Sequence, residues 1–150
     1  MKSMTCCFSE ETLILMADGS LKRVNDVKNG EWVASIDGKT EEVCCDVDNE
    51  VEEYFVLQTK AGHQIEITGE HPMMTPDGWK TVKELSVGDS VMRMEVLGGT
   101  STFDEITVLT IVKERRKMYN LICEDCAIIA NGFVCSDFHM QYKLVVLSRL

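Results

Sequence analysis

The sequence lacks an excess of basic residues. Its 150 residues contain 15 lysines and arginines against 25 aspartates and glutamates, and the formal net charge of −10 is spread along the chain. A protein that binds nucleic acid needs a basic surface facing the phosphates. The charge balance therefore argues against a nucleic-acid partner, and the length fits one compact domain.

The sequence also lacks a membrane-spanning run and a secretion signal. Its longest apolar stretch, from about Cys126 to Cys135, is well below the roughly 20 residues that span a bilayer. No opening segment combines basic residues, a continuous apolar run and a small-residue cleavage site. We therefore expect a soluble, cytoplasmic protein with no membrane partner.

The cysteines do not form the pattern of a secreted disulfide framework. There are seven of them, an odd number, and two adjacent pairs occur, Cys6 with Cys7 and Cys44 with Cys45. Such pairs are difficult to join into a set of disulfides. We expect free thiols in a reducing compartment.

No segment sustains a long 3.6-residue period, and strand signals dominate instead. Short apolar or β-branched runs alternate with dipeptides that suit tight turns with positive φ. These dipeptides are Asp18-Gly19, Asn29-Gly30, Asp37-Gly38, Asp77-Gly78 and Asn131-Gly132. The sequence therefore predicts a mostly β fold.

One hairpin carries polar residues to its end. The runs 56–59 and 64–68 flank Ala61-Gly62, which predicts a hairpin that delivers Thr68 and His71 to one place.

Further strands are expected at 106–112 and 119–122, with a surface loop at 98–102 that tolerates added sequence. The run 141–147 is strand-like.

Several motifs occur in the order and spacing of a known family. Together they span about residues 7 to 137, and as a set they resemble the Hint domains, which include inteins, bacterial intein-like domains and the hedgehog autoprocessing domain. The opening motif runs from Cys7 to Leu15 and continues to Asp18-Gly19; the later ones are 29–33, Thr68 to Pro72, 88–91, and Tyr119-Asn120-Leu121 leading to 130–134.

The resemblance implies a horseshoe-like fold of strands and hairpins with pseudo-two-fold halves, closest to bacterial intein-like domains and mini-inteins. We expect the domain to cover 7–137, with 1–6 as a preceding flank and 138–150 as a following flank or an extra strand. The length leaves no space for the DNA-cleaving domain that some members of the family carry.

The resemblance also implies self-processing chemistry. Cys7 would be the nucleophile that attacks the carbonyl of Cys6 and forms a thioester. His71 would protonate the leaving nitrogen and Thr68 would help to hold the strained peptide. A thiol suits this role because it is partly ionised near neutral pH, and acid–base help is worth about 100- to 10,000-fold. We expect no required cofactor.

The end of the motif departs from splicing members of the family. Ser136 and Asp137 stand where those members have His-Asn, and Phe138 follows where an acceptor Cys, Ser or Thr would be needed. Asn120 stands where many have an aspartate. Efficient splicing is therefore not expected. Asp137 is a candidate for slow cleavage after itself, and the thioester at Cys7 would pass to water, an amine, a thiol or an alcohol.

Cys126 has two interpretations besides that of a strand residue. It closes the pattern Cys123-Glu124-Asp125-Cys126 and falls near the place where many relatives carry a histidine, so we include it among the catalytic candidates. Cys7, His71 and Cys126 would also be a metal-binding trio, and zinc held there would block the nucleophile.

Two other functions compete with self-processing. A degenerate Hint module would keep the fold as a binding or structural domain, inactive or inhibited by zinc. A papain-like protease would need a helix directly behind Cys7, whereas residues 13–16 have the character of a strand.

Overall fold

The fold consists of β-strands connected by tight turns, as the sequence predicts. The computed structural model describes residues 7–38, 40–123 and 127–136. Within these ranges there are fourteen strands and three one-turn 3-10 helices, at Val24–Asp26, Ile36–Gly38 and Val82–Glu84. The strands are β1 (Leu13–Leu15), β2 (Leu21–Arg23), β3 (Trp32–Ala34), β4 (Thr40–Glu42), β5 (Cys45–Val51), β6 (Tyr54–Thr59), β7 (Gln64–Ile67), β8 (Pro72–Thr75), β9 (Gly78–Thr81), β10 (Ser90–Arg93), β11 (Thr102–Val112), β12 (Arg116–Ile122), β13 (Ala127–Ala130) and β14 (Phe133–Ser136).

Most strands join one antiparallel sheet that brings distant parts of the chain together. Its order is β2-β1-β13-β14-β10-β11-β6-β7, and β8 pairs with both β14 and β9. Two further pairs are β12 with β5 and β3 with β4. Phe8 connects the sheet to the β12 pair, because it bridges Ile67 at the end of β7 and Tyr119 in β12. The segment around Phe8 therefore lies between two strands.

The hairpin of β13 and β14 is set by its turn. Asn131 has φ of 49° and Gly132 has φ of 79°, and two positive φ angles are the requirement of a two-residue type I′ connection. Ala130 pairs with Phe133 across this turn, and the register continues to Ala127 opposite Ser136. The Asn131-Gly132 turn predicted from the sequence is thus confirmed, and it sets the register that places Ser136 opposite Ala127.

The strands predicted at 56–59, 64–68, 106–112 and 119–122 are confirmed with small shifts in their bounds. The hairpin of β6 and β7 pairs Phe55 with Ile67 and Gln58 with Gln64, as expected. Strand β11 begins earlier than predicted, at Thr102, because Ser90 to Arg93 in β10 pair with it. Residues 94–101 connect these strands without regular structure. The run 141–147 lies outside the described residues.

Among the described residues, the apolar core divides into three clusters. Its largest cluster includes Phe8, Ile14, Ile67, Leu121 and Phe133, all buried. Complete burial of each such side chain contributes about 1.5–3 kcal/mol. A smaller cluster contains Cys7, Val51, Tyr54 and Met118. Within 7–38, 40–123 and 127–136, the chain forms no helix long and apolar enough to cross a membrane.

Candidate active site

Thr68 holds both main-chain groups of Cys7. The Cys7 N–H donates to Thr68 Oγ1 at 2.9 Å, and the Thr68 N–H donates to the Cys7 carbonyl at 3.0 Å. Both residues are buried. The antiparallel bridge between Phe8 and Ile67 places Cys7, the residue before Phe8, opposite Thr68, the residue after Ile67. The amide nitrogen of Cys7 therefore has a fixed orientation.

A tight turn carries His71 back towards Thr68. The His71 N–H donates to the Thr68 carbonyl at 3.2 Å, and the His71 carbonyl accepts from Val82 N–H at 3.0 Å. Gly69 sits inside this turn because a Cβ there would lie 2.7 Å from the Phe55 ring. Thr68 and His71, three positions apart, are thereby brought to one side of Cys7.

The His71 ring is fully buried between an aromatic ring and a main-chain acceptor. Its Nε2 lies 2.7 Å from the Ser136 carbonyl oxygen, and its centroid lies 4.3 Å from that of the Phe8 ring. Burial lowers the pKa of His71 to about 4, although the main-chain groups of Ser136 and Cys7 both favour the protonated form. The ring is therefore neutral at pH 7.

Two buried polar atoms at this site have no hydrogen-bond partner among the described residues. They are Nδ1 of His71 and the hydroxyl oxygen of Ser136. Buried polar atoms are almost always paired, and leaving one unpaired costs about 1–3 kcal/mol. Unpaired atoms of this kind are typical of places where a reacting group binds.

The arrangement brings four of the six candidate catalytic residues together. Cys7, Thr68, His71 and Ser136 are connected by the hydrogen bonds given above. Asp137 and Cys126 lie outside the described residues. In the ranges that the structure describes, no three His, Cys, Asp or Glu side chains are grouped to hold a metal ion. The trio of Cys7, His71 and Cys126 includes an undescribed member and stays a prediction.

Two neighbours of Cys7 were not among the candidates. Phe8 packs its ring against His71, and Asn120 lies across from Cys7 because the bridge joins Phe8 to Tyr119. Asn120 is buried, and its side-chain oxygen accepts from the Leu121 N–H at 2.8 Å. The motif that contains Asn120 had been recognised, but only the strand register shows that it faces the nucleophile.

A second buried polar cluster lies at the other end of β14. The Arg93 guanidinium is buried, donates to the Asn131 carbonyl at 3.0 Å and to Glu95 at 2.9 Å, and lies 4.0 Å from Asp104. Its carbon lies 4.5 Å from the centre of the Phe133 ring. Nothing in the sequence pattern had singled out this arginine.

Comparisons with known proteins agree with this architecture. A Vint-type family model, described as a Hint domain, matches residues 6–98. A crystal structure of a variant of the Ssp DnaB mini-intein superposes with a TM-score of 0.79 at 20% identity, covering 91% of this chain and 97% of that one. The DnaB intein of Synechocystis sp. PCC 6803 gives a TM-score of 0.76 at 20% identity, over 89% and 99% of the two chains.

A bacterial intein-like domain from Clostridium thermocellum is also similar. Its solution structure superposes with a TM-score of 0.73 at 21% identity, covering 90% of this chain and 99% of that domain. At these identities the superpositions establish the fold, and the family model covers more than half of the 150 residues. The chain therefore belongs to the Hint-domain family, whose members are autocatalytic processing domains.

Proposed function

We propose that this domain performs an N–S acyl shift at Cys7, which leads to N-terminal cleavage or to ligation with an external nucleophile. The observation that carries the proposal is the pair of hydrogen bonds that Thr68 makes with the N–H and the carbonyl of Cys7, with the His71 ring beside them. A peptide bond is planar and stabilised by resonance, so its cleavage needs a fixed amide and a proton for the leaving nitrogen. Thr68 supplies the first and His71 the second.

The proposed step balances in atoms and charge. The Cys7 sulfur bonds to the carbonyl carbon of Cys6 after its proton has moved to a base. The bond between that carbon and the Cys7 nitrogen then breaks, and the nitrogen takes up a proton. The products are a thioester and a free amine at Cys7. Because the reaction needs a free thiol, we place it in a reducing compartment such as the cytoplasm.

The fate of the thioester follows from which nucleophile reaches it. Water gives cleavage of the preceding polypeptide, whereas an amine, a thiol or an alcohol gives ligation. The partners are thus the flanking polypeptides and a small or protein-borne nucleophile. Complete splicing is weak or absent because Ser136 replaces the expected histidine and Phe138 carries no acceptor group. No cofactor is required, and zinc at Cys7, His71 and Cys126 would act as an inhibitor.

One observation favours the alternative of an inactive module. The Cys7 side chain is buried in the apolar cluster with Val51, Tyr54 and Met118. A thiol in that position has to leave its packing before it reacts. In this alternative the domain keeps the fold, binds or supports its neighbours, and does not turn over.

The test is intact mass spectrometry of the chain fused behind a small reporter. The fusion is incubated with dithiothreitol and a chelator, beside matched Cys7→Ala and His71→Ala versions. We expect the parent to lose the reporter before Cys7 and both variants to remain intact. A second cut after Asp137 would reveal surviving C-terminal chemistry.

The remaining outcomes decide between the two functions. A parent that stays intact in dithiothreitol and chelator, while circular dichroism shows it folded, supports the inactive module. If the parent reacts only when the chelator is present, inhibition by a bound metal is supported. Hydroxylamine in place of dithiothreitol gives a hydroxamate only where a thioester has formed, and its absence during cleavage would contradict the acyl shift.

A further inference from the structure

The main sheet is closed by a line of contacts between its two ends. Strand β7 lies at one end of the sheet, and β1 lies next to the other end. Residues 7–13, which lead into β1, run antiparallel to residues 64–68, because Phe8 bridges Ile67. We call the line along which these two segments face each other the seam.

The Cys7 half of the seam is held by hydrogen bonds of the main chain. The Thr68 N–H donates to the Cys7 carbonyl at 3.0 Å. The Ser9 N–H donates to the Glu66 carbonyl at 3.2 Å. After Ser9 the chain makes a tight turn, in which the Thr12 N–H donates to the Ser9 carbonyl at 3.0 Å. The ladder along the seam is therefore interrupted before the chain enters β1.

The Asn131 side chain bridges the seam beyond this turn. Its Oδ1 accepts from the Leu13 N–H at 2.8 Å, and its Nδ2 donates to the Gln64 carbonyl at 3.0 Å. Only one orientation of the amide satisfies both partners, because an N–H needs an acceptor and a carbonyl needs a donor. The Asn131 N–H adds a third bond, to the Leu13 carbonyl at 2.8 Å. Asn131 therefore takes the place of a paired main-chain group between β1 and β7.

The backbone of the β13 and β14 turn holds this side chain in position. Asn131 has φ of 49°, and asparagine is one of the few residues with a side chain that adopt such a conformation readily. The Arg93 guanidinium donates to the Asn131 carbonyl at 3.0 Å. A Cβ at Gly132 would lie 2.4 Å from Nη2 of Arg93. The turn is thus fixed against β10, while its asparagine side chain reaches across the seam.

We infer that Asn131 is a positioning residue, whose side chain closes the seam and so keeps the Cys7 amide against Thr68. This inference rests on the proposed acyl shift, in which the Cys7 nitrogen is the leaving group. Asn131 acts through Leu13 and Gln64 and not on the reacting bond. When these two residues separate, the segment before Leu13 can move away from β7, and the Cys7 nitrogen loses the fixed orientation that the reaction needs.

Two substitutions separate the side chain of Asn131 from the turn that carries it. Asn131→Gly keeps the positive φ and removes both side-chain hydrogen bonds. Asn131→Asp also tolerates the turn and keeps an acceptor for the Leu13 N–H, but its carboxylate cannot donate to the Gln64 carbonyl. Asn29→Ala is the matched control. Asn29 also precedes a glycine, and its Oδ1 accepts from the Asp46 N–H at 3.0 Å, in the β5 and β12 pair.

The experiment is hydrogen exchange, followed by NMR on the full chain carrying Cys7→Ala so that no acyl shift takes place. Adding Asn131→Gly should speed exchange of the amides at position 7 and at Thr68 by about 10-fold, as expected for the loss of two hydrogen bonds that resist a local opening. Adding Asn131→Asp should give a smaller increase. Amides in the β6 and β11 pair, which report unfolding of the whole domain, should change less. Asn29→Ala should leave the exchange of the two seam amides unchanged.

Equal acceleration at the seam and in the β6 and β11 pair would overturn the inference, because Asn131 would then stabilise the whole fold. Unchanged exchange at the seam in Asn131→Gly would overturn it as well. If circular dichroism shows that Asn131→Gly is unfolded, the same comparison is decided by Asn131→Asp against its parent.

The exchange rates do not depend on turnover, so the two proposals can fail separately. If the seam opens as expected and the reporter fusion never cleaves, the positioning role stands and the proposed function fails. In fusions that retain Cys7, we expect Asn131→Gly to form the thioester about 10-fold more slowly than Asn29→Ala, because a misplaced amide reacts less often. Equal rates in these two fusions would overturn the inference and leave the acyl shift intact.

Discussion

Polar side chains are buried at both ends of strand β14, but their hydrogen-bond partners differ between the two ends. At Phe133 the strand supports Arg93, whose guanidinium contacts Asn131, Glu95 and Asp104. At Ser136 the strand meets His71, and the His71 Nδ1 and the Ser136 hydroxyl both have no hydrogen-bond partner within 7–38, 40–123 and 127–136. Phe133 and Ser136 are three positions apart, about 10 Å of extended chain.

The difference separates a polar group that stabilises from one that is prepared to react. The Arg93 guanidinium donates to Asn131 and Glu95 and neutralises the nearby buried Asp104, so it fixes the strands around it, and its removal leaves Asp104 without a counter-charge. An imidazole that is buried with an unpaired lone pair lowers the stability of the fold, but that lone pair is available to accept a proton. We expect substitutions at Arg93 to change folding, and substitutions at His71 to change chemistry.

The largest expected effect is on the reaction rate at the Ser136 end. His71→Gln should lower the rate of thioester formation by about 100- to 10,000-fold. The glutamine amide can donate to the Ser136 carbonyl, but it cannot act as a general acid or a general base. Its free energy of unfolding should change by less than about 1.5 kcal/mol, as for swaps of similar volume. Hydroxylamine trapping measures the first quantity and urea denaturation the second. A variant that unfolds but reacts normally would reverse the comparison.

The largest expected effect on stability is at the Phe133 end. Arg93→Ala should lower the free energy of unfolding by about 3 kcal/mol, because the buried Asp104 loses its counter-charge and the Asn131 carbonyl loses its donor, whereas the Glu95 partner is 60% exposed and contributes little. Arg93→Lys keeps the charge but loses the planar contacts with Asn131 and Glu95. Its free energy of unfolding should lie between those of the parent and Arg93→Ala. Urea denaturation of the three proteins provides the measurement. At temperatures where Arg93→Lys is folded, its thioester rate should match that of the parent.

Acid should expose the cost of burying His71. The folded-state pKa of His71 is lowered from 6.5 to about 4, so the unfolded chain binds more protons between these values. Stability therefore falls as the pH drops through this window, by about 2 kcal/mol from pH 7 to pH 5. The difference in unfolding free energy between the parent and His71→Gln should change by that amount over the same range. A constant difference would contradict burial of a neutral ring.

The smallest expected effect is on stability and concerns Thr68. This residue lies in the same site as His71, but its hydroxyl oxygen accepts a hydrogen bond from the Cys7 N–H. Thr68→Val leaves the Cys7 N–H without its acceptor and should destabilise the domain by about 1.5 kcal/mol. Thr68→Ser keeps the hydroxyl and should lose less than half of that. Urea midpoints of the two variants at equal slope give the comparison. Equal losses in both would assign the effect to the methyl group instead.

The sequence was sufficient for the elements whose information is local. The turn Asn131-Gly132 and the hairpin that carries Thr68 were predictable from a few adjacent residues. The order of motifs also identified Cys7, Thr68 and His71, although Cys7 and Thr68 are 61 positions apart. Cysteine, threonine and histidine are residue types with recognisable reactive groups. The family resemblance indicated which of them act together.

Other features could not be read from side-chain identity. The partner of His71 is the main-chain carbonyl of Ser136, and every residue has such a carbonyl. Only the register of the β13 and β14 hairpin directs this carbonyl away from β13 and towards His71. Arg93 is similar to any other arginine in a strand until its neighbours are known. The apolar packing of the Cys7 side chain depends on β5, β6 and β12 meeting at one place.

The contact between His71 and Ser136 also determines how a longer polypeptide would experience this domain. Cys7 and Ser136 are separated by almost the whole described chain, yet both lie against the same histidine. The two ends of the described chain are therefore held close together in space. A host protein carrying the domain in an exposed loop would have the two stems of that loop held side by side, and could keep its own fold around the insertion.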